Sequence, residues 1–496
     1  VLPVPRASEG RALSTPKKLV LAVIDGAAPA MLQRTVESGR APALQALIER
    51  GRYVPDAVSV FPSLTPVCAA AIATGYAQDR HHIPSMNWYH RGENRYVEYG
   101  SSFRASLRFG VARQLTDTIY NMNAEHLAAD ALTVFEQLDD AGLRTAGTTY
   151  LMYRGRHRHE PARHSLLTRV AARSLVRRPV MGPRELFYAD IFSSRDTGCH
   201  STLGMPGVRD RHAGCVGAYL VARDLCDFLL LSLPDNDNHS HRHGPEGQLD
   251  SIPEADRQLA RLFEAGGGTE RFLRDHAVIV VADHAHTLVE DTISLVPEFV
   301  GVADVRRPTD LREAGKAEVA ICPASRAAMI YVLEPRLLGR IVERARRIEG
   351  VAHVIWRDGE QAVVAGAAGE ELRFAPGEGA RDLRGREWHL AGALSVFDAR
   401  IETGVFRSER YPDALGRVWD ALSCPTSGEV LLSAAEGWEF SDWGGASHIG
   451  GGSHGALDAG DSLVPLICCG VSGDLDRRQW SIKDLTPLVT RHFGLA

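Results

Sequence analysis

The chain has 496 residues, 44% hydrophobic and 24% charged, with a formal net charge of −6. Such a length and composition suit one large α/β core carrying insertions, and the charge gives no general attraction to a nucleic-acid duplex or an anionic membrane. No apolar run reaches the about 18 residues of a transmembrane segment, and eight cysteines without a CxxC pair read mostly as free, buried thiols.

The first apolar run, LVLAVID (19–25), reads as a buried strand ending on Asp25, and PALQALIERG (42–51) follows with helical spacing. FPSLTPVCAAAIATG (61–75) reads as a capped helix, with Thr65 at the N-cap, Pro66 at the first helical position and Gly75 as the stop. The positive end of that helix would take a phosphate and favour the Thr65 alkoxide. HHIPSMNWYHRG (81–92) offers Asn87, Trp88 and Tyr89 either as pocket residues or as core.

EHLAADALTVFEQLDDAG (125–142) has Leu127, Ala128, Leu132, Phe135 and Leu138 at helical spacing, and TAGTTYL (145–151) reads as the next strand. Residues 153–215 are arginine-rich with little strand signal and read as an insertion. The arginines from Arg154 to Arg178 form either a solvated face or a holder for a second phosphate or a lipid head group.

FLLLSLPD (228–235) is a strand ending on Asp235, and LPDNDNHSHRHGPEG (233–247) is dense in metal-competent side chains. AVIVVAD (277–283) is a strand ending on Asp283, followed at once by His284. Residues 301–424 carry a separate α+β pattern, an inserted subdomain that leaves 17–300 and 425–496 as the core. GEVLLSA (428–434) and LVPLICC (463–469) are its last strands, with His454 between them in GGGSHGALDAGD. Alternating strands and helices predict a mostly parallel sheet sandwiched between helices, with reactive groups outside the carboxyl ends of the strands. Three carboxylates and three histidines at such positions are the donor types of a two-metal site.

The ordered set VIDG, FPSLTP, PD with a histidine four residues on, ADHAH and GGSHG resembles the alkaline phosphatase superfamily, most closely its type I phosphodiesterase/nucleotide pyrophosphatase branch. The match runs from about Lys17 to the C-terminus and leaves the two insertions largely uncovered. The resemblance implies an alkaline phosphatase-like α/β fold with cap subdomains. It also implies a hydrolase of phosphoric esters with two divalent metal ions, zinc first, while N/O donors also accept manganese or iron.

By the same resemblance Thr65 is the nucleophile and, with Asp25, Asp283 and His284, holds one metal. Asp235, His239 and His454 hold the other, with Asp237 as a substitute ligand. His241 and His243 are assigned near the substrate or to solvent, and His286 and His448 to orientation or packing. Cys68 stands where many phosphodiesterases of the branch carry an asparagine that binds a phosphoryl oxygen, and a thiol is a poor donor for that task. The implied substrate is a small-molecule or lipid phosphoester, foremost a diester. Phosphonate hydrolysis, phosphomonoester hydrolysis and a non-catalytic phosphate or lipid binder are the alternatives. The visible residues favour a soluble cytoplasmic protein, or an exported one if a leader preceded Val1.

Overall fold

The run KLVLAVI forms strand β1 (Lys18–Ile24), buried beyond its first residue, as a parallel strand covered on both faces must be. In the computed structural model, which describes residues 16–163, 168–169, 176–308 and 317–495, β1 lies inside an eight-stranded sheet. Its other strands are β2 (Arg52–Val58), β3 (Thr145–Thr148), β4 (Glu185–Tyr188), β5 (Phe192–Ser193), β6 (Phe228–Leu233), β7 (His276–Val281) and β8 (Leu463–Cys469).

The spatial order is β2-β8-β7-β1-β6-β3-β4-β5. From β7 to β4 the strands are parallel, whereas β8 runs against both β7 and β2, and β5 turns back on β4. Parallel neighbours present their carboxyl ends at one edge. With Ile24 opposite Leu233 and Val23 opposite Val281, the chain leaves the sheet there at Asp25, Asp235 and Asp283.

Two expected elements end differently. The helix expected over 125–142 begins only at Val134. Thr133 and Glu136 form a reciprocal capping box there, and the carbonyls of Leu127, Ala128 and Ala131 accept hydrogen bonds from the Arg154 guanidinium instead of continuing a helix. The strand read in GEVLLSA (Val430–Ala434) joins not the central sheet but a second, nine-stranded one, between Ala327–Val332 and Val351–Asp358. That sheet thus extends past residue 424. Likewise Glu185–Tyr188, inside the arginine-rich 153–215 stretch, is a strand of the central sheet.

Of the arginines in that stretch, Arg154 and Arg156 pair with Glu136, Arg156 also with Asp140, and Arg178 lies over the Tyr120 ring. These contacts are structural. Residues 164–167 and 170–175 lie outside the described residues. Cys199 and Cys215 form a disulfide, and the other six cysteines are free and buried. Among the described residues no helix is long and apolar enough to cross a membrane.

Arg326, fully buried, fastens the second sheet to the first. Its backbone N–H donates to the His454 carbonyl at 2.9 Å, and its guanidinium pairs with Asp461, and with Asp458 at 3.0 Å. Asp461 in turn accepts from Thr287 Oγ1 at 2.6 Å and Ala456 N at 2.8 Å. Removing one member of a buried ion pair strands the other charge in a low dielectric. Asp461→Ala is therefore expected to lose about 3–5 kcal/mol in urea unfolding.

Candidate active site

The helix α1 (Thr65–Thr74) is built from small residues and buried from Pro66 onward, and Gly75 closes it at φ 76°. Thr65 was expected to cap it, but Leu64 holds the cap position and no side chain caps the helix. Thr65 is the first helical residue, and its hydroxyl is left to lie 3.2 Å from His284 Nε2.

Around that hydroxyl stand Asp25, Asp283 and His284. His284 Nε2 is 3.4 Å from Asp25 Oδ1 and 3.6 Å from Asp283 Oδ2, while Asp283 Oδ1 accepts from the backbone of Gly26 and His284, each at 3.1 Å. The second group gathers on Asp237 Oδ1, which lies 3.3 Å from His241 Nε2, 3.7 Å from His454 Nε2 and 3.1 Å from His286 Nε2. The His284 and His454 rings stack at 3.5 Å, so the two groups adjoin.

The expectation for Asp235 and His239 does not match this geometry. Asp235 opens helix α2 (Asp235–His243) with its carboxylate turned away, accepting from Gly207 N at 2.8 Å, Asp210 N at 3.1 Å and Arg209 Nε at 3.0 Å. His239 stacks on His243 at 4.2 Å, so neither His239 nor His243 joins the cluster. Their places are taken by Asp237 and His241, two residues further along the helix. His448, expected to orient, stacks on His241 at 4.2 Å and is held by Glu439 at 2.9 Å. His286, likewise expected to orient, donates from Nε2 to Asp237 Oδ1.

A family model for type I phosphodiesterase/nucleotide pyrophosphatase matches residues 19–456. The chain belongs to that family. It is accordingly a hydrolase acting on phosphoric ester bonds, and its fold is alkaline phosphatase-like. Phosphonoacetate hydrolase from Sinorhizobium meliloti 1021, solved with phosphonoformate, is similar with a TM-score of 0.57 at 18% identity, over 96% of each chain. Murine ectonucleotide pyrophosphatase/phosphodiesterase 5 is similar with a TM-score of 0.57 at 12% identity, over 97% of this chain and 96% of that one. No curated protein matches the chain in sequence.

The donor atoms of this family enzyme fit divalent metal ions. Among the described residues three groups have ligand atoms within 4.8 Å of one another: Asp25, Asp283 and His284; Asp237, His241 and His454; and Asp237, His284 and His286. Asp25 Oδ1 is buried without a hydrogen-bond partner. Burial, with Asp283 and Asp237 close by, pushes the Asp25 carboxyl well above the usual range. Three of the four histidines also have the far nitrogen engaged: Nδ1 of His241 reaches Gly452 O at 2.8 Å, that of His454 reaches Ser63 O at 2.7 Å, and that of His284 reaches Ala285 O at 3.2 Å. With Nδ1 donating to a carbonyl, Nε2 presents its lone pair to the site.

A cavity of about 330 Å³ opens beside Thr65, Asp25, Asp237 and Asp283. Tyr99, Tyr150, Tyr188, Ile119 and Leu151 give it an apolar wall, and Arg209 is the only cation among the described residues lining it. Met86 lines the cavity, but its neighbours Asn87, Trp88 and Tyr89 do not: Asn87 is buried against Pro323 O, Trp88 bonds Tyr99, and Tyr89 bonds Asn94. Cys68 is wholly buried with its thiol 3.3 Å from Ser59 Oγ, and burial holds that thiol well above its ordinary pKa. It does not reach the cavity, and no signal in the sequence separated Met86 or Arg209 from their neighbours.

Proposed function

We propose that the enzyme hydrolyses phosphodiesters at two divalent metal ions, zinc foremost, with Thr65 as nucleophile. Asp25, Thr65, Asp283 and His284 would hold one ion, and Asp237, His241 and His454 the other. When bound, these ions supply the positive charge that lowers the pKa of the Thr65 hydroxyl and neutralises the phosphoryl oxygens. His286 keeps Asp237 oriented, and the carbonyls behind His241, His284 and His454 fix their tautomers.

In the first step Thr65 Oγ1, its proton lost to solvent, attacks phosphorus in line with the departing ester oxygen. The P–Oγ1 bond forms as the P–O bond to the leaving group breaks, and the leaving alkoxide takes a proton from water. In the second step a water oxygen displaces Oγ1 from the opposite side and sheds its proton, which frees Thr65 and the phosphomonoester product. Rigid placement on a buried helix start contributes alignment, which is worth more than any single contact at the cavity wall.

The observation that carries the diester reading is the cavity beside Thr65. Its one cation, Arg209, is engaged by Asp235 at 3.0 Å and by Pro234 O at 3.2 Å, so it offers little uncompensated charge for the second negative charge of a monoester or for a substrate carboxylate. The rest of the wall suits an organic leaving group. The test is the ratio of kcat/KM for a nitrophenyl phosphodiester over the matching monoester in zinc-loaded protein. A ratio well above one is expected. A ratio below one, or hydrolysis of phosphonoacetate in preference to both, would discard the reading.

For the compartment, the Cys199–Cys215 disulfide supports an oxidising one over the cytoplasm. Thiol titration of the unfolded, unreduced protein should find six reactive cysteines, and eight would reverse that inference.

A further inference from the structure

Three short helical stretches follow one another beside the cavity: Phe103–Phe109, Val111–Thr116 and the π-helical Asp117–His126. Leu115, Thr118 and Ile119 line the cavity. Upstream in the same stretch, Ala105, Ser106 and Phe109 pack inward, whereas Phe103, Leu107 and Val111 are 75%, 58% and 38% exposed. Arg104 and Arg108 are exposed between them and Arg113 just beyond, and no acidic residue occurs from Tyr99 to Thr116. Asp442, which accepts from Ser102 Oγ, anchors the start of the stretch. Met205, 59% exposed, stands next to Leu203 and Gly204 of the cavity lining.

We propose that residues 103–113 are a docking surface for an anionic lipid membrane. Apolar side chains that project singly, with guanidinium groups between them, match a fluid interface: the apolar groups reach the acyl boundary while the arginines meet head-group phosphates. The charge decides the occupant, since three cations without an acid in the stretch stand out against a chain of net charge −6 and select an anionic surface. A protein partner would more often be met by a contiguous apolar patch. The docking itself does not depend on the diesterase reading. Its consequence, that the cavity receives a diester carried by a lipid, does rest on it.

The test is co-sedimentation of the full chain with vesicles of phosphatidylcholine alone and of phosphatidylcholine mixed with phosphatidylglycerol. Binding to the mixed vesicles is expected, weakened by added salt and reduced about fivefold for each arginine removed in Arg104→Gln, Arg108→Gln and Arg113→Gln. Phe103→Ser with Leu107→Ser should also release the protein, while hydrolysis of a soluble nitrophenyl diester stays at the wild-type rate. Wild-type protein that ignores both vesicles, binds both equally or binds without salt dependence overturns the proposal, whatever the variants do. So does retention on polyglutamate without vesicle binding, which would give the surface to an acidic protein. Loss of soluble diester hydrolysis in wild type would strike the proposed function and leave the docking surface standing.

Discussion

Thr65→Ala is expected to keep its metal and lose turnover by about 10⁴-fold or more, the size of effect seen when a covalent nucleophile is deleted. The hydroxyl is spared from capping α1 and has His284 Nε2 as its neighbour at 3.2 Å, so its loss breaks nothing in the helix. Stability in urea should stay close to wild type, because the substitution removes a hydroxyl and a methyl group from a partly buried residue and adds a good helix former. Metal content by elemental analysis, kcat on a nitrophenyl diester and an unfolding curve together make the check. A metal-loaded variant turning over at a tenth of the wild-type rate would show that Thr65 only assists a water attack.

The second large effect separates two pairs of residues on one helix. Asp237→Ala and His241→Ala should each lose one equivalent of metal and about 10³-fold in kcat, since a site of three protein donors does not hold its ion on two. Asp235→Ala and His239→Ala should keep the metal. Of these two, Asp235→Ala should cost no more than about 10–100-fold in activity, the scale of a supporting contact, because it frees Arg209 and the backbone of Gly207 and Asp210. The reverse pattern, with metal lost from Asp235→Ala, would return the ligand set to the one expected from sequence.

That Asp235 and His239 resemble the ligand pair in sequence follows from helical geometry. Both Asp235/His239 and Asp237/His241 have the four-residue spacing that puts two donors on one face of α2. A shift of two residues turns the face by about 200°, so one pair faces the cluster while the other faces away, and spacing alone has no preference between them. The structure shows the difference in what already occupies each carboxylate. By contrast Asp25, Asp283 and His284 were legible because they lie within three residues of the ends of buried parallel strands and carry no rival donor pair at the same spacing beside them. The cavity wall was illegible for the opposite reason: Met86, Tyr188 and Arg209 come from elements far apart in sequence and share no pattern. The second sheet's claim on Val430–Ala434 was hidden because a buried antiparallel strand and a buried parallel one read alike as VLLSA.

The Arg326 linkage carries a consequence for how the molecule comes apart. One residue, rooted in the nine-stranded sheet, holds the loop that bears His454 through its backbone N–H and, through its guanidinium, the carboxylate that supports Ala456 and Thr287. If His454 holds a metal as proposed, a fluctuation that peels the second sheet away would pull that ligand off the ion, and an occupied site would resist the peeling. The two sheets are then expected to melt as a single cooperative unit whose midpoint rises with metal concentration, as binding to the native state alone requires.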